Sequence, residues 1–515
     1  MTGKGKVTFV GAGCGDPRLL TLRAADVLAR ADYVLFDADV HPDVLGRVRE
    51  GATRVAVSSV MTSEHIGALL AGEAKQGKSA VRLSWGDPLL FAWGDAEAAA
   101  VARHGLTLEV VPGIGPFIAV GAFAGVPLTR SGDASPSVAV VSVTRGHETL
   151  HDWEKLATAT DSLAILCDAE SVSETARSLV FYGRSGSDAA TIIESVSLPS
   201  QRVVISTLAE VPKLPRSQTA RVVLVVGERA TPLDALTWLA KQPLFGKRVL
   251  VTRAREQAGG AAALLRERGA DPVVVPTIEI HPPSDPAAMI DAVQAMAERY
   301  DWVVLTSANG VDRLWAEVRR QGKDARAFGN AKIAAIGPGT ATALERCGLS
   351  ADVIAKEHRG EALAQEVLAA MSAPAAKPAA SAIASAAAPK RRVLVARAEV
   401  ARDVVPDTLR AAGCDVDVVS VYKTRSPPRP LLEALSSLLE AGELDAVTFT
   451  SSSTVEHLCD ALEARAIPLL AKTTVASIGP ITTETAKKRG IRVDVTAAEY
   501  TLPGLVAALE KHFGI

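Results

Sequence analysis

The chain has 515 residues, of which 48% are hydrophobic and 22% are charged. A formal net charge of −2 excludes the strongly basic surface that favours nucleic-acid binding. No long uncharged apolar run predicts a membrane span, and the N-terminal residues lead into a strand without a signal peptide. We therefore expect a cytoplasmic protein, and the length predicts roughly three to five domains.

The cysteines are isolated from one another in the sequence: Cys14, Cys167, Cys347, Cys414 and Cys459. Because no CxxC pair occurs, we interpret them as small buried apolar residues. A thiol nucleophile or a metal site is the alternative interpretation, and we predict no metal.

Apolar runs in the first half predict strands that alternate with helical stretches. These strands are expected at residues 6–10, 33–37, 53–57, 79–83, 108–111, 137–143, 162–166, 191–195 and 222–226. After the first of them, Asp16 and Pro17 suit the start of a helix. Apolar residues then recur at helical spacing: Leu19, Leu22, Ala25 and Leu28. Such alternation is typical of an α/β fold.

The glycines at 11, 13 and 15 follow the first strand and admit a dinucleotide-binding interpretation. Asp37, at the end of the second strand, could then bind a ribose. The fingerprint requires Gly or Ala at position 16, where this chain has Asp16. A tight structural turn is the other interpretation.

Longer segments of this half resemble the uroporphyrinogen-III C-methyltransferases of the tetrapyrrole methylase family. The similar segments are VGAGCGDPRLLTLRAADVLARADYVLFD, RLSWGDPLLF (82–91), VVPGIG (110–115), AGVPLT (124–129) and RGH (145–147). The resemblance implies that residues 1–230 form a two-lobed α/β domain that binds S-adenosylmethionine between its lobes. It also implies a tetrapyrrole substrate and a homodimer formed through this domain.

The same resemblance implies the residues of the methyltransferase site. Asp37 matches a carboxylate that acts as a base in methyl transfer, and the cofactor-binding residues are Cys14, Gly86, Asp87, Leu90, Gly115, Pro116 and Cys167. The chain departs from the family pattern at several positions, including Cys14, Ala38, residues 57–60 and Trp85. An inactive domain, or one with a different substrate, is therefore the alternative.

The second half of the chain contains an internal repeat. Residues 301–314 return as 445–458 and residues 247–255 as 391–399, both 144 positions later. IAAIGPGTATAL (333–344) returns as VASIGPITTETA (475–486) after 142 positions. In both copies a strand leads through Gly-Pro into a helix, a turn that suits an anion. The repeat predicts two similar α/β lobes that face a common cleft.

These motifs, in this order, resemble uroporphyrinogen-III synthase. The similar segments are PLFGKRVLVTRAREQ, VVLTSANGV, IAAIGPGTATAL, VYKT, TFTSSSTVEHL and IGPITTETA. The resemblance implies a domain of residues 247–515 with two interleaved flavodoxin-like lobes, joined to the first domain by a linker at 231–246. One lobe would hold 247–279 and 421–515, and the other 281–420, with strands near 276–280 and 419–424 bridging them. Residues 372–390 are Ala/Pro/Ser-rich and predict a surface insertion.

The synthase of this family converts the linear tetrapyrrole hydroxymethylbilane, with no metal or cofactor. It expels a hydroxyl, inverts the last ring through a spiro intermediate and closes the macrocycle. Tyr422 matches a tyrosine that helps the hydroxyl to leave, and its repeat partner is Ile278. A half-buried packing role for Tyr422 is the alternative.

We expect a polyanionic substrate to be held by main-chain N–H groups and hydroxyls on both walls of the cleft. The predicted substrate-binding residues are Thr252, Arg253, Thr306, Ser307, Asn309, Gly337, Thr340, Ser451, Ser452, Thr482 and Thr483. Tyr500 and its repeat partner His358 could also line the cleft. A non-catalytic, two-lobed anion-binding protein remains a further alternative.

Overall fold

The computed structural model describes residues 5–130, 137–143, 151–215, 219, 221–228, 230–253, 255–277, 279–357, 359–372, 390–425 and 427–514. Four features of the sequence analysis lie outside these residues, namely 145–147, Ile278, His358 and the low-complexity run 373–389. The chain folds as two compact units. The first holds Met1–Lys247, Leu265–Asp271 and Phe513–Ile515, and the second holds Arg248–Leu264 and Pro272–His512.

In the described part of the first unit, ten strands form two five-stranded sheets. The strands are β1 (Val7–Gly11), β2 (Tyr33–Asp37), β3 (Thr53–Val57), β4 (Ala80–Ser84), β5 (Leu108–Val111), β6 (Val138–Val143), β7 (Ser162–Asp168), β8 (Ala189–Glu194), β9 (Arg202–Thr207) and β10 (Arg221–Gly227). The first sheet has the order β3-β2-β4-β1-β5 and is parallel. The second has the order β6-β7-β10-β8-β9, in which only β6 and β7 pair in parallel.

The nine strands predicted in this half are confirmed, with shifts of no more than a few residues at their ends. Strand β9 was not predicted. It lies at the edge of the second sheet, where its side chains are exposed or half-buried and Ile205 faces solvent. A partly exposed edge strand gives a weaker apolar signal than a buried central strand.

The helices of the first unit are α1 (Leu22–Leu28), α2 (Pro42–Leu45), α3 (Ser63–Lys75), α4 (Gly94–Arg103), α5 (Pro116–Phe123), α6 (Trp153–Thr158) and α7 (Val172–Phe181). The helix expected after Asp16 is divided into two. Asp16 caps a short 3-10 helix, and α1 begins only after Thr21, whose hydroxyl accepts from the N–H of Ala24. This break changes the helical phase, so Leu22 is 89% exposed although the spacing predicted a buried position.

The second unit contains two sheets that define its two lobes. Its strands are β11 (Arg248–Val251), β12 (Asp271–Val274), β13 (Glu279–His281), β14 (Trp302–Leu305), β15 (Lys332–Ala335), β16 (Val353–Ile354), β17 (Arg392–Ala398), β18 (Asp415–Arg425), β19 (Ala446–Phe449), β20 (Thr474–Ser477) and β21 (Val495–Thr496). Lobe A is built on the sheet β12-β11-β19-β20-β21, and lobe B on the sheet β13-β18-β17-β14-β15-β16. The short strand β13 pairs antiparallel with the end of β18.

Helices pack on these sheets as in other α/β folds. They are α8 (Arg255–Glu267), α9 (Ala287–Gln294), α10 (Met296–Arg299), α11 (Ala308–Arg320), α12 (Pro338–Arg346), α13 (Gly360–Ser372), α14 (Val404–Ala411), α15 (Arg429–Glu440), α16 (Ser452–Leu462), α17 (Ala466–Leu470), α18 (Pro480–Lys488) and α19 (Leu502–Phe513). Within the described ranges, no helix combines the length and apolar character needed to cross a membrane.

The sequence repeat is also a repeat of hydrogen bonds. The carboxylate of Asp301 in lobe B accepts from the N–H of Arg392 at 2.8 Å, and Asp445 in lobe A accepts from Arg248 at the same distance. Both carboxylates therefore join neighbouring parallel strands at the same place. The predicted pair of similar lobes is confirmed in the described residues.

Candidate functional site

The first candidate site lies at the carboxyl ends of the parallel strands β1, β4 and β5, where ligands bind in α/β sheets. Gly13 and Gly86 exchange two backbone hydrogen bonds of 3.1 and 2.9 Å. A Cβ on Gly113 would lie 2.0 Å from the carbonyl oxygen of Gly86, so only glycine fits there. Close packing of these turns requires the glycines of the predicted motifs.

Asp87 ties two of these turns together. Its carboxylate accepts from the N–H of Gly113 at 3.0 Å and from the N–H of Leu89 at 2.9 Å. The same residue lines a cavity of about 210 Å³. Asp87 therefore shapes the wall of the cavity and offers it a negative charge.

Asp37 belongs to a charge network at the end of β2. Its carboxylate lies 2.6 Å from the guanidinium of Arg82 and accepts from the N–H of Trp85 at 2.9 Å. Arg82 is buried and also donates to Glu97 at 2.7 and 3.1 Å. Burial raises the pKa of Glu97, while the hydrogen bond from Arg82 opposes that rise. Arg82 thus holds Asp37 in a fixed orientation at the cavity wall.

A second cavity of about 170 Å³ adjoins the first. Both are lined by Trp85, Pro116, Leu166 and Arg221. The guanidinium of Arg221 lies 5.4 Å from the centre of the Trp85 ring, a cation–π contact, and 3.2 Å from Asp39. Trp85 and Arg221 thus contact each other and line both cavities.

Most of the predicted cofactor-binding residues meet at this cleft. Gly86, Asp87, Leu90, Gly115 and Pro116 line the first cavity together with Asp37, and Cys14 lines the second. The predictions did not include Arg82 and Arg221. Arg82 stands within a segment that carried the resemblance, whereas the sequence around Arg221 offered no signal.

Cys167 is the exception. Its side chain is fully buried in the core between the second sheet and its helices, and its sulfur lies 4.0 Å from the hydroxyl of Thr175. Burial raises the pKa of this thiol to about 12, so it remains protonated near neutral pH. The prediction that Cys167 binds the cofactor is therefore corrected for its side chain, which packs away from the cleft.

The second candidate site lies between lobes A and B, where three adjoining cavities have volumes of about 920, 1200 and 640 Å³. Ser452 lines all three. Such a cleft is large enough for a tetrapyrrole-sized ligand, since ordinary small-molecule sites measure roughly 300–1,000 Å³.

Tyr422 forms part of the wall of the 920 Å³ cavity and is 8% exposed. Its phenolic oxygen lies 3.1 Å from the hydroxyl of Ser307. Ser307 caps the N-terminus of α11 and accepts from the N–H of Gly310 at 3.0 Å. The predicted catalytic tyrosine therefore lies next to the start of a helix.

Several predicted substrate-binding residues reach this cleft. Thr306, Ser451 and Ser452 line the 920 Å³ cavity, and Thr482 lines the 640 Å³ cavity beside Gly479. Ser307 does not line these three cavities but contacts Tyr422, which does. Tyr500, which the repeat pairs with His358, also lines the 640 Å³ cavity.

Three of the predicted threonines are buried residues. Thr252 donates to the carbonyl oxygen of Thr448 at 2.7 Å, and Thr483 lies 2.5 Å from the hydroxyl of Ser477. Thr340 is also buried. Direct substrate contact by the hydroxyls of Thr252 and Thr483 is therefore corrected, because both are hydrogen-bonded within lobe A. Substrate contact by Thr340 stays a prediction.

The remaining three predicted residues, Arg253, Asn309 and Gly337, do not line these cavities. Burial lowers the pKa of the Arg253 guanidinium. Its repeat partner Arg397 does line the 920 Å³ cavity. The repeat itself could have predicted Arg397, since the two arginines stand 144 positions apart.

Other cations that the sequence analysis omitted also surround the cleft. They are Arg402, Lys423 and Arg425 at the 920 Å³ cavity, and Lys356, Arg359 and Lys488 at the 1200 Å³ cavity. The Nζ of Lys423 donates to Ser284 at 3.0 Å, and Ser284 donates to Glu399. Carboxylates line the same cavities, among them Glu361, Glu399 and Glu456 at the 920 Å³ cavity, so the cleft surface carries both signs of charge.

Comparisons with known proteins match the two halves of the chain to two different family models. The family model for tetrapyrrole (corrin/porphyrin) methylases matches residues 6–212, and the model for uroporphyrinogen-III synthase HemD matches residues 260–507. The porphyrin biosynthesis protein HemD of Ruminiclostridium josui is 30% identical over 98% of this chain and 97% of that protein. Siroheme synthase 1 of Yersinia enterocolitica is 35% identical over 47% of this chain, which spans only 52% of that relative.

Two solved structures are similar to separate parts of the chain. Uroporphyrin-III C-methyl transferase from Thermus thermophilus, complexed with S-adenyl homocysteine, is 33% identical over 44% of this chain and 98% of its own, with a TM-score of 0.39. A mutant uroporphyrinogen III synthase from the same species is 18% identical over 52% of this chain and 98% of its own, with a TM-score of 0.38. Because both scores are below 0.5, the assignment rests on the sequence relatives and the family models. The chain belongs to the family of the porphyrin biosynthesis protein HemD, in which a tetrapyrrole methylase region precedes a uroporphyrinogen-III synthase region.

Proposed function

We propose that the cleft of the second unit converts hydroxymethylbilane to uroporphyrinogen III, and that the cleft of the first unit methylates this product with S-adenosylmethionine. We assign the synthase to residues 247–515, the methyltransferase to residues 1–230 and a linker to residues 231–246. A cytoplasmic location and a homodimer formed through the first domain stay predictions.

The observation that carries the synthase proposal is the position of Tyr422 in the wall of the 920 Å³ cavity. The C–O bond of the hydroxymethyl group breaks as the hydroxyl takes the phenolic proton and leaves as water. The N–H proton of the same pyrrole then restores the phenol, so no external acid is consumed. Proton transfer from a positioned side chain of this kind contributes roughly 10²–10⁴ in rate.

Cations and hydroxyls of the cleft suit the carboxylates of the ligand, and they stand beside three acids of the same cavity, Glu361, Glu399 and Glu456. Arg397, Lys423 and Arg425 lie on the lobe B side of Tyr422, and Ser451 and Ser452 lie opposite on lobe A. Hydrogen bonds to charged groups contribute about 1.5–3 kcal/mol each, so several together hold a flexible chain firmly. Holding both ends of the bilane would favour attack by the last ring in the sense that inverts it.

The residues of the first cleft fit S-adenosylmethionine, whose sulfonium and amino groups are cations. Asp37, Asp87 and Asp168 supply negative charge to the 210 Å³ cavity, and Phe117 supplies an aromatic face. A Cβ on Gly86 would meet only Pro116 at 3.7 Å, so the backbone lies open to a ligand there. When bound, the cofactor supplies an electrophilic methyl group. Asp37, held by Arg82, would accept the proton that the methylated ring carbon must lose.

A specific observation favours a second candidate, in which the first unit does not methylate. Trp85 and Arg221 contact each other where they line both cavities, and each cavity is smaller than an ordinary small-molecule site. In that case the chain is a synthase with a methylase-like domain of another role.

The first experiment incubates the full chain with freshly prepared hydroxymethylbilane and separates the uroporphyrin isomers after oxidation. We expect the type III isomer; the spontaneous type I isomer alone would contradict the synthase proposal and support a non-catalytic anion-binding protein. Adding S-adenosylmethionine to the same reaction should yield methylated product.

Calorimetric titration with S-adenosylhomocysteine tests the first cleft without any reaction. We expect binding by the wild-type chain and tighter binding by Trp85→Gly, because glycine removes a ring that lines both cavities and so enlarges the cleft. If only Trp85→Gly binds, the second candidate is correct. If neither binds, the methyltransferase proposal fails.

A further inference from the structure

We propose that Ser307 is a positioning residue that donates its O–H to the phenolic oxygen of Tyr422 and so directs the phenolic O–H into the cavity. The inference rests on the proposed role of Tyr422 in the loss of the hydroxyl. It adds a second residue that does not itself touch the substrate, and it explains why the tyrosine lies at the start of a helix.

The argument begins with the hydrogen-bonding capacity of Ser307. A serine hydroxyl has one proton to donate and can accept two hydrogen bonds. The Ser307 oxygen already accepts from the N–H of Gly310 at 3.0 Å, and it lies 3.1 Å from the oxygen of Tyr422. Only if Ser307 donates to Tyr422 does the phenolic proton stay free for the hydroxyl of a substrate.

The resulting chain of donors runs in one direction. The Gly310 N–H donates to Ser307. In the proposed arrangement the Ser307 O–H donates across the 3.1 Å contact to Tyr422, and the Tyr422 O–H is then directed to the cavity. Hydrogen bonds in such a chain polarise one another. The chain starts at the N-terminus of α11, a helix of 13 residues, where the aligned peptide dipoles stabilise negative charge.

The backbone around Tyr422 holds this geometry. The pairing of β17 with β18 shifts register after Arg397, so Ala398 lies opposite Tyr422. The carbonyl oxygen of Tyr422 accepts from the N–H of Glu399 at 2.8 Å. A Cβ on Gly310 would lie 3.2 Å from the Ser307 oxygen, so glycine leaves room for the serine to approach.

Lobe A contains the same cap without the tyrosine. Ser451 has φ −164° and ψ 160°, against −166° and 155° for Ser307, and it accepts from the N–H of Thr454. The Ser451 oxygen, however, lies 3.0 Å from the hydroxyl of Ser453, and the repeat places Ile278 at the position of Tyr422. Ser451 is therefore a matched cap that lacks the proposed donation.

A double-mutant cycle on the full-length chain tests the inference. The variants are Ser307→Ala, Tyr422→Phe and their combination, alongside Ser451→Ala alone and combined with Tyr422→Phe. The measured quantities are kcat and KM for formation of type III uroporphyrinogen and the midpoint of thermal unfolding. We expect Ser307→Ala to lower kcat about tenfold with little change in KM.

The combined variant decides the mechanism. If Ser307 acts through Tyr422, Ser307→Ala has no further effect on kcat in the Tyr422→Phe background. The effects of Ser451→Ala and Tyr422→Phe on kcat should multiply, because the Ser451 hydroxyl does not contact the phenol. Multiplicative effects for Ser307→Ala would overturn the inference and indicate a direct substrate contact. Unchanged kcat in Tyr422→Phe alone would reject the underlying role of the tyrosine instead.

If Ser307→Ala unfolds, two more variants separate the role of Ser307 as a helix cap from its role as a hydrogen-bond donor to Tyr422. Thr keeps the cap and the O–H, whereas Asp keeps the cap but can only accept when ionised. We expect Ser307→Thr to retain most of kcat and Ser307→Asp to lose it while both remain folded. Equal kcat in these two variants would contradict the proposed hydrogen bond from Ser307 to Tyr422.

Discussion

Lobes A and B share one backbone plan but differ in where they place polar side chains. In lobe A, the hydroxyls of the buried Ser477 and Thr483 lie 2.5 Å apart, and Thr483 lies 2.8 Å from the hydroxyl of the exposed Thr496. The matching positions of lobe B are Ala335, Ala341 and Ile354. Lobe B instead carries Tyr422 and most of the cations around it at the cleft surface. The caps and strand-joining carboxylates were kept in both copies, so the difference in chemistry arises from side chains that the shared backbone does not require.

The largest expected effect comes from the tyrosine that only lobe B has. Tyr422→Phe should lower kcat for type III product by about 100-fold or more, since the proton donor is lost while the ring still fills its site. Steady-state kinetics with fresh hydroxymethylbilane measures this.

Tyr300→Phe is the matched control for that change. Tyr300 is buried in lobe B, and its hydroxyl donates to Asp417 at 2.7 Å. Its loss should lower stability and leave kcat unchanged. Equal kcat losses in the two variants would mean that a general weakening of lobe B, rather than the loss of a proton donor, explains the result.

A smaller effect should separate the two repeat-related arginines. Arg397 lines the cavity, whereas Arg253 does not line any of the three cavities described above. Arg397→Ala should raise KM by about tenfold or more, as expected from loss of a charged hydrogen bond. Arg253→Ala should change KM less. The reverse order would place the main carboxylate contact on lobe A.

The hydroxyl cluster of lobe A should affect stability and not activity. Ser477→Ala, which introduces the residue of lobe B, should lower the free energy of unfolding by about 1–3 kcal/mol because Thr483 loses a buried partner. Urea denaturation measures the loss, and KM should stay unchanged. The reciprocal change Ala335→Ser should destabilise lobe B, since the matching neighbours there are Ala341 and Ile354. A raised KM in Ser477→Ala would return Thr483 to the set of substrate contacts.

The smallest effect concerns pH. Hydrogen bonds from the N–H and hydroxyl of Ser284 lower the pKa of Glu399 below its ordinary 4.5, and Lys423 and Arg425 add to the shift. A lowered folded-state pKa contributes stability above pH 4.5, and this is lost as pH falls through the folded-state value. Glu399→Gln should therefore unfold more easily than wild type at pH 7 but equally easily in strong acid. A constant difference at every pH would show that Glu399 acts through packing alone.

Much of this architecture could be predicted from local patterns. Strands β2, β3 and β5 have the predicted bounds, because each is a short apolar run between polar turns. The helix starts at Gly337 and Gly479 follow from Gly-Pro signals, and both glycines are indeed N-caps. The direction of individual side chains was harder to predict. Thr482 lines a cavity, while Thr483, its neighbour in the chain, points into lobe A. Adjacent residues of a helix are rotated by about 100° about its axis, so a shift of one position moves a side chain from the cleft to the core.

The sequence by itself determined the α/β class, the repeat and the motifs that place a tyrosine and a carboxylate at strand ends. Those properties depend on residues close together in the chain, whose spacing sets helices, strands and turns. Only the tertiary structure decided which hydroxyls face a cleft, that Arg82 joins Asp37 to Glu97, and that Ser307 meets Tyr422. Ser307 and Tyr422 are separated by 115 positions, and such contacts arise from packing of whole sheets and helices, which no local pattern records.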